Sequence, residues 1–164
     1  MTFAGRSSGP GLKYLVERAA AGKPLVVNLL PGVYTGSCGI VVSALQFLAI
    51  RASSPGVIID CEHQNRFIKS FVEIELTGID IRNGGSMISN DLDGGCISVV
   101  GAHLTLINTT ISECSSEGRG GGISVSGCAS QLTISGNSTV KRKYFCTWLL
   151  CMHTNQHFHI SLLC

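Results

Sequence analysis

Apolar and polar residues alternate along most of this chain, in short runs closed by glycine, proline, serine or asparagine. Leu104-Thr-Leu-Ile-Asn-Thr-Thr-Ile111 returns as Leu132-Thr-Ile-Ser-Gly-Asn-Ser-Thr-Val140, 28 residues on and with one residue inserted. Between the copies, Gly120-Gly-Gly-Ile-Ser124 repeats Gly94-Gly-Cys-Ile-Ser98 at an interval of 26. Leu76-Thr-Gly-Ile-Asp-Ile81 is a looser forerunner of Leu106 to Ile111, offset by 30. A period of 26 to 30 residues, carrying alternating apolar positions and glycine pairs, is the mark of a stacked repeat. A unit this short cannot bury its own apolar face, so it must lie on a neighbour. The spacing fits one coil of a parallel β-helix, three short strands joined by turns. The expected fold class is therefore all-β.

Ahead of the repeats, Gly11 to Ala21 reads as a helix, because Leu12, Leu15, Val16, Ala19 and Ala20 form one apolar stripe. Ser8 and Pro10 suit its start, and Gly22 and Pro24 its end, so residues 11–22 are assigned as a capping helix. Its place in a β-helix is over the open first coil, whose unpaired strand edges would otherwise recruit other chains. Residues 1–10 are expected to be disordered. Strands are predicted at Leu25–Leu30, Gly39–Ala44, Phe47–Arg51, Val57–Cys61, Phe67–Leu76 and Ile79–Arg82. They are separated by turn chemistry at Pro31-Gly32, Thr35-Gly36, Ser53–Gly56 and Asn83–Gly85. Runs that are apolar on both parities, such as Leu25-Val-Val27 and Ile40-Val-Val42, suit parallel sheets packed on more than one side. The coils are expected to occupy residues 25–140.

The segment Val26-Val-Asn-Leu-Leu-Pro-Gly-Val-Tyr-Thr-Gly36, with a helix before it and Gly56-Val-Ile-Ile-Asp60 after it, resembles the start of pectin-lyase-like right-handed β-helix proteins. The later half resembles the repeats of chlamydial polymorphic outer-membrane proteins, in which a Gly-Gly-x-Ile element alternates with a Phe-x-x-Asn element. Gly94-Gly-Cys-Ile97 and Gly120-Gly-Gly-Ile123 match the first, while Ile81-Arg-Asn83 and Ile111-Ser-Glu113 stand in place of the second. The resemblance covers residues 10 to 140. It implies a right-handed β-helix with an N-terminal helical cap and an extracellular or cell-surface location.

Composition narrows the function classes. Hydrophobic residues make up 45% and charged residues 13%, the reverse of a disordered chain. The net charge is +2, but Lys141, Arg142 and Lys143 supply three of the twelve basic residues. Residues 1–140 thus carry nine basic against ten acidic groups, which offers nucleic acid no basic face. The first ten residues do not read as a signal peptide, and no stretch approaches the length of a membrane span. The eight cysteines fit either a disulfide framework of undeducible connectivity or small buried hydrophobes. From Lys141 the pattern breaks: residues 141–164 contain no glycine, the only tryptophan and three of the five histidines. They are read as an atypical tail foreign to the repeat, from a misread gene end.

Pectin-lyase-like enzymes act on polyuronides with acidic and basic groups on one face of the helix, so Asp80 and Arg82 are the catalytic candidates that resemblance implies. Glu73 and Glu75 fall on one side of a strand and read as a solvated face. Asp80 and Arg82 share a face in the same way and are open to pairing with each other. His63 and His103 are isolated loop positions. Asp91 and Asp93, in Asn90-Asp-Leu-Asp-Gly-Gly95, are metal candidates for calcium, set against a plain acidic turn because calcium wants six to eight oxygen ligands. No other cofactor is expected. Cys146, Cys151, His153, His157 and His159 have zinc-ligand identities in no familiar finger spacing. Asn108-Thr-Thr110 and Asn137-Ser-Thr139 are glycosylation sequons at near-equivalent places in successive coils, where stacked Asn and Thr can equally form hydrogen-bonded ladders.

These features lead to a non-catalytic surface or extracellular β-helix module, presenting a polar strand face to glycans or to another protein. The alternatives are a carbohydrate-active enzyme of pectin-lyase type and a truncated fragment with no function of its own.

Overall fold

The computed structural model describes residues 2–3, 11–86, 93–117, 120–128, 130–144 and 158–161. After β1 (Thr2–Phe3) and α1 (Gly11–Glu17), the chain winds through four coils of three strands each. The first holds β2 (Pro24–Leu29), β3 (Gly32–Tyr34) and β4 (Ile40–Val42). The second holds β5 (Phe47–Ala52), β6 (Val57–Asp60) and β7 (Ile68–Ser70). The third holds β8 (Glu73–Thr77), β9 (Ile79–Arg82) with its continuation β10 (Gly85–Ser86), and β11 (Ile97–Val100). The fourth holds β12 (His103–Ile107), β13 (Thr110–Ser116) and β14 (Ile123–Ser126). Two strands of a further coil follow, β15 (Gln131–Ser135) and β16 (Thr139–Tyr144), and then β17 (Phe158–Ser161).

Strands at the same position in successive coils pair side by side and build three sheets. The first runs β1-β2-β5-β8-β12-β15-β17, the second β3-β6-β9-β13 with β10 and β16 also on β13, and the third β4-β7-β11-β14. Among the described residues every pairing is parallel except β15 with β17. This is a parallel β-helix, a β-solenoid.

The register is the one the repeats imply. Leu104 pairs with Leu132, Ile97 with Ile123, and Leu76 with Leu106. Inward-pointing residues therefore stack into columns. Leu48, Ile74, Leu104 and Leu132 form one column of the first sheet, and Val27, Ile50, Leu76 and Leu106 another. Tyr34, Ile59, Ile81 and Ile111 line the second sheet, and Ile40, Ile68 and Ile97 the third. All are buried in one continuous core. Burying such a side chain contributes about 1.5–3 kcal/mol, and in the second to fourth coils the columns continue into the neighbouring coils.

The glycine pairs have a steric cause. Gly94 and Gly120 stand at equivalent corners with φ of +73° and +67°, where a side chain is strained. A Cβ on Gly95 would run into the carbonyl oxygens of Gly121 and Ser115. Backbone from two coils meets at that corner, leaving room only for hydrogen.

Four differences from the sequence reading have local causes. The helix ends at Glu17, four residues before Ala21, because the chain tightens into a turn (Ala19 N–H to Val16 O, 3.4 Å) and Gly22, with φ +69°, hands its N–H to Ala44 O of the first coil. Leu12 and Val16 are buried, and the helix packs on β4, the outermost strand of the third sheet. The run Phe67–Leu76 is two strands, β7 and β8, broken where Ser70 Oγ donates to Val72 O and accepts from Val72 N–H. Gly32–Tyr34, which overlaps the predicted Pro31-Gly32 turn and precedes the one at Thr35-Gly36, is a strand of the second sheet. The chain also stays in β-structure beyond Val140, because β16 runs to Tyr144 and β17 returns antiparallel to β15.

Disulfides decide between the two cysteine readings. Cys38–Cys61 ties the first coil to the second, and Cys96–Cys114 the third to the fourth, each with a Cα–Cα distance of 5.5 Å. Cys128 is disulfide-bonded as well. Cys61, Cys96 and Cys114 are also buried, so they serve as packing and as cross-link together. Among the described residues no helix is long and apolar enough to cross a membrane.

Candidate functional site

The outward positions of a β-helix are set by the same register as the core. On the first sheet, three columns point away from the interior. In the third, fourth and fifth coils these hold Glu73, His103 and Gln131; Glu75, Thr105 and Thr133; and Thr77, Ile107 and Ser135. Eight of these nine positions are polar, so this half of the sheet offers a continuous polar surface. The corresponding positions of the first two coils are mostly apolar: Pro24, Val26, Phe47 and Ala49. Arg51 marks the boundary, donating from Nε to Glu75 Oε1 at 2.9 Å, while Thr77 Oγ1 donates to the same oxygen at 3.3 Å. Glu75 is therefore held by its neighbours, and Glu73 stands exposed beside it.

A second polar cluster lies on the outside of the second sheet. Asp60 is opposite Arg82 in register. Arg82 Nε donates to Asp60 Oδ2 at 2.9 Å, and Asn83 Nδ2 and the Glu62 N–H donate to Asp60 Oδ1 at 2.9 and 3.1 Å. Partial burial pushes the Asp60 carboxyl up, but the hydrogen bonds from Asn83, Glu62 and Arg82, with the Arg82 charge, outweigh it and hold the carboxyl below its ordinary range. Asn83 adopts φ +56° just after β9, and Glu113, its equivalent one coil on, adopts φ +54° within β13, so the backbone is left-handed at this level in both coils.

The pairing open to Asp80 and Arg82 is thus made by Arg82 with Asp60, one coil back. Asp80 is exposed on the same outer face, flanked in register by Ile58 and Thr110. His63 lies in the loop after β6 and His103 begins β12, both exposed. Asp93 is half-buried immediately before Gly94, and Asp91 lies outside the described residues, as do Cys146, Cys151, His153 and His157. Among the described residues no three histidine, cysteine or acidic side chains converge as a metal-binding group. Asn108 and Asn137 are both exposed at the corner between the first and second sheets, and Asn108 Oδ1 accepts the Asn137 N–H at 3.0 Å. Asp60, the centre of the best-connected polar cluster, was one acid among several in the sequence. Aligning Val57-Ile-Ile-Asp60 with Ile79-Asp-Ile-Arg82 by their apolar positions brings it beside Arg82.

Comparison with protein-family models, with curated proteins and with solved structures finds no match to this chain. The class the structure itself defines is a four-coil parallel β-solenoid with a short N-terminal helix.

Proposed function

We propose that this chain is a non-catalytic β-helix repeat module of an extracellular or cell-surface protein, binding glycan through the polar half of its first sheet. The observation that carries the reading is the run of Glu73, Glu75, Thr77, His103, Thr105, Gln131, Thr133 and Ser135 on one outward face. Strands repeat about every 4.8 Å, so hydroxyl, carboxylate and amide groups stand in regular rows on rigid backbone. Groups fixed in this way lose little freedom on binding. A polar, extended polymer can lie across several rows at once. The disulfides between coils support an oxidising compartment. The resemblance of the Gly-Gly-x-Ile corners to polymorphic outer-membrane repeats supports a surface location.

The test is retention of the full-length chain on immobilised polyuronides and neutral glycans, with and without calcium. Thr105→Glu with Thr133→Glu should abolish retention, and Lys69→Ala on the third sheet should leave it intact. New reducing ends or unsaturated uronide absorbance that disappear in Asp80→Ala would replace this reading with the pectin-lyase-type enzyme. Retention of a protein partner in place of any glycan would change the ligand and keep the face.

A further inference from the structure

The two sequons end in one structural frame but begin differently, because Asn108 stands at the left-handed position that Gly136 fills one coil on (φ +49° and +62°), and Asn137 is the residue inserted after it. In each, the middle residue is buried and hydroxyl-bonded to the corner. Thr109 Oγ1 donates to Ile107 O at 3.0 Å, and Ser138 Oγ donates to Ser135 O at 2.7 Å while accepting the Thr109 N–H at 3.0 Å. The third residues, Thr110 and Thr139, pair in register on the second sheet. The asparagines themselves project from the corner. Asn108, with φ +49°, is exposed, but its side chain is bonded to the coil that follows. Its Oδ1 accepts the Asn137 N–H, and a Cβ on Gly136 would collide with that same oxygen. Asn137 has its backbone fixed by that bond, and its carboxamide is exposed with no hydrogen bond among the described residues. The earlier asparagine is the prop and the later one the free acceptor.

We infer that Asn137 is an N-glycan acceptor and that Asn108 is the structural residue that presents it. In the transfer, a bond forms between Asn137 Nδ2 and C1 of an oligosaccharide carried on a polyprenyl pyrophosphate. The bond from C1 to the pyrophosphate oxygen breaks, the carboxamide nitrogen loses a proton, and the lipid pyrophosphate leaves. The hydroxyl of Thr139 supplies the +2 group that the transferase reads. A compartment that forms Cys38–Cys61 and Cys96–Cys114 is of the same oxidising kind as one in which this reaction takes place. The glycan would project from the corner beside the polar face and leave the core untouched.

The full chain, secreted from eukaryotic cells behind a cleavable leader, is mapped by peptide mass spectrometry before and after peptide-N-glycosidase. The expected result is a glycan on Asn137 and none on Asn108, with a gel shift that is lost in Asn137→Gln and kept in Asn108→Gln. Thr139→Ala should lose the shift and Thr139→Ser keep it. Because the wild-type peptide map decides the question alone, a variant that fails to fold does not rescue the inference. A disulfide-bonded chain with Asn137 bare, or with Asn108 modified, overturns it.

Discussion

The cross-link between the third and fourth coils has a stability consequence whose size follows from the chain it closes. Cys96 and Cys114 are 18 residues apart, and a loop of that length removes unfolded-state entropy equivalent to about 3 kcal/mol. For a protein that loses about 2 kcal/mol of stability per molar urea, opening the bond should lower the midpoint by about 1.5 M. Cys96→Ala with Cys114→Ala should produce that drop in non-reducing urea titrations followed by circular dichroism. Reduction of the wild type should bring it at least as low, because Cys38–Cys61 opens too. That bond closes a 23-residue separation between the first and second coils, so its removal should add a loss of similar size. A midpoint that moves by less than about 0.3 M in the double variant would refute the reasoning. So would alkylation of Cys96 and Cys114 in the folded, unreduced protein.

Leu106→Ala empties a fully buried position stacked between Leu76 and Ile134 and should cost about 2–5 kcal/mol by urea titration. Gly95→Ala should cost about 3 kcal/mol, because its Cβ meets two carbonyl oxygens. Gly101→Ala, with open space around it but φ +69°, should cost only about 1–2 kcal/mol. The Asp60 carboxyl, held below its ordinary range in the fold, contributes stability that is present above its unfolded pKa and lost as pH falls through the folded one. Asp60→Asn should therefore lower the urea midpoint at neutral pH by an amount worth about 1 kcal/mol or less, Arg82 being well exposed, and the gap from wild type should close below about pH 4.

How much of this was legible in the sequence depended on the coil. In the later coils the same apolar alternation recurs, so the pairings of Leu76 with Leu106 and of Leu104 with Leu132 could be read from residue spacing. In the first two coils the corners differ in length. Val57 pairs with Ile79 at an interval of 22 and Ile40 with Ile68 at 28, so no single period aligns them. Features that depend on two coils meeting were hidden for the same reason. The Asp60–Arg82 pair and the Cys38–Cys61 and Cys96–Cys114 disulfides need a register that corner lengths alone decide. The break inside Phe67–Leu76 is made by one serine hydroxyl, which binds backbone locally and leaves the apolar pattern unchanged. The strand at Phe158–Ser161 comes from a stretch whose composition resembles no repeat, although Phe158 and Ile160 fall opposite Ile134 and Leu132.

The account stands on one register, because the pairing that puts Leu76, Leu106 and Ile134 in a column inside puts Glu75, Thr105 and Thr133 in a row outside. Methyl-labelled nuclear Overhauser spectroscopy reads that column directly. The expected result is contact between the methyls of Leu76 and Leu106 and between those of Leu106 and Ile134, with none between Leu76 and Ile134, which are two coils apart. Contacts of Leu106 to residues displaced by one along either strand, or none to Leu76 and Ile134, would contradict both the β-helix and the polar face built on it.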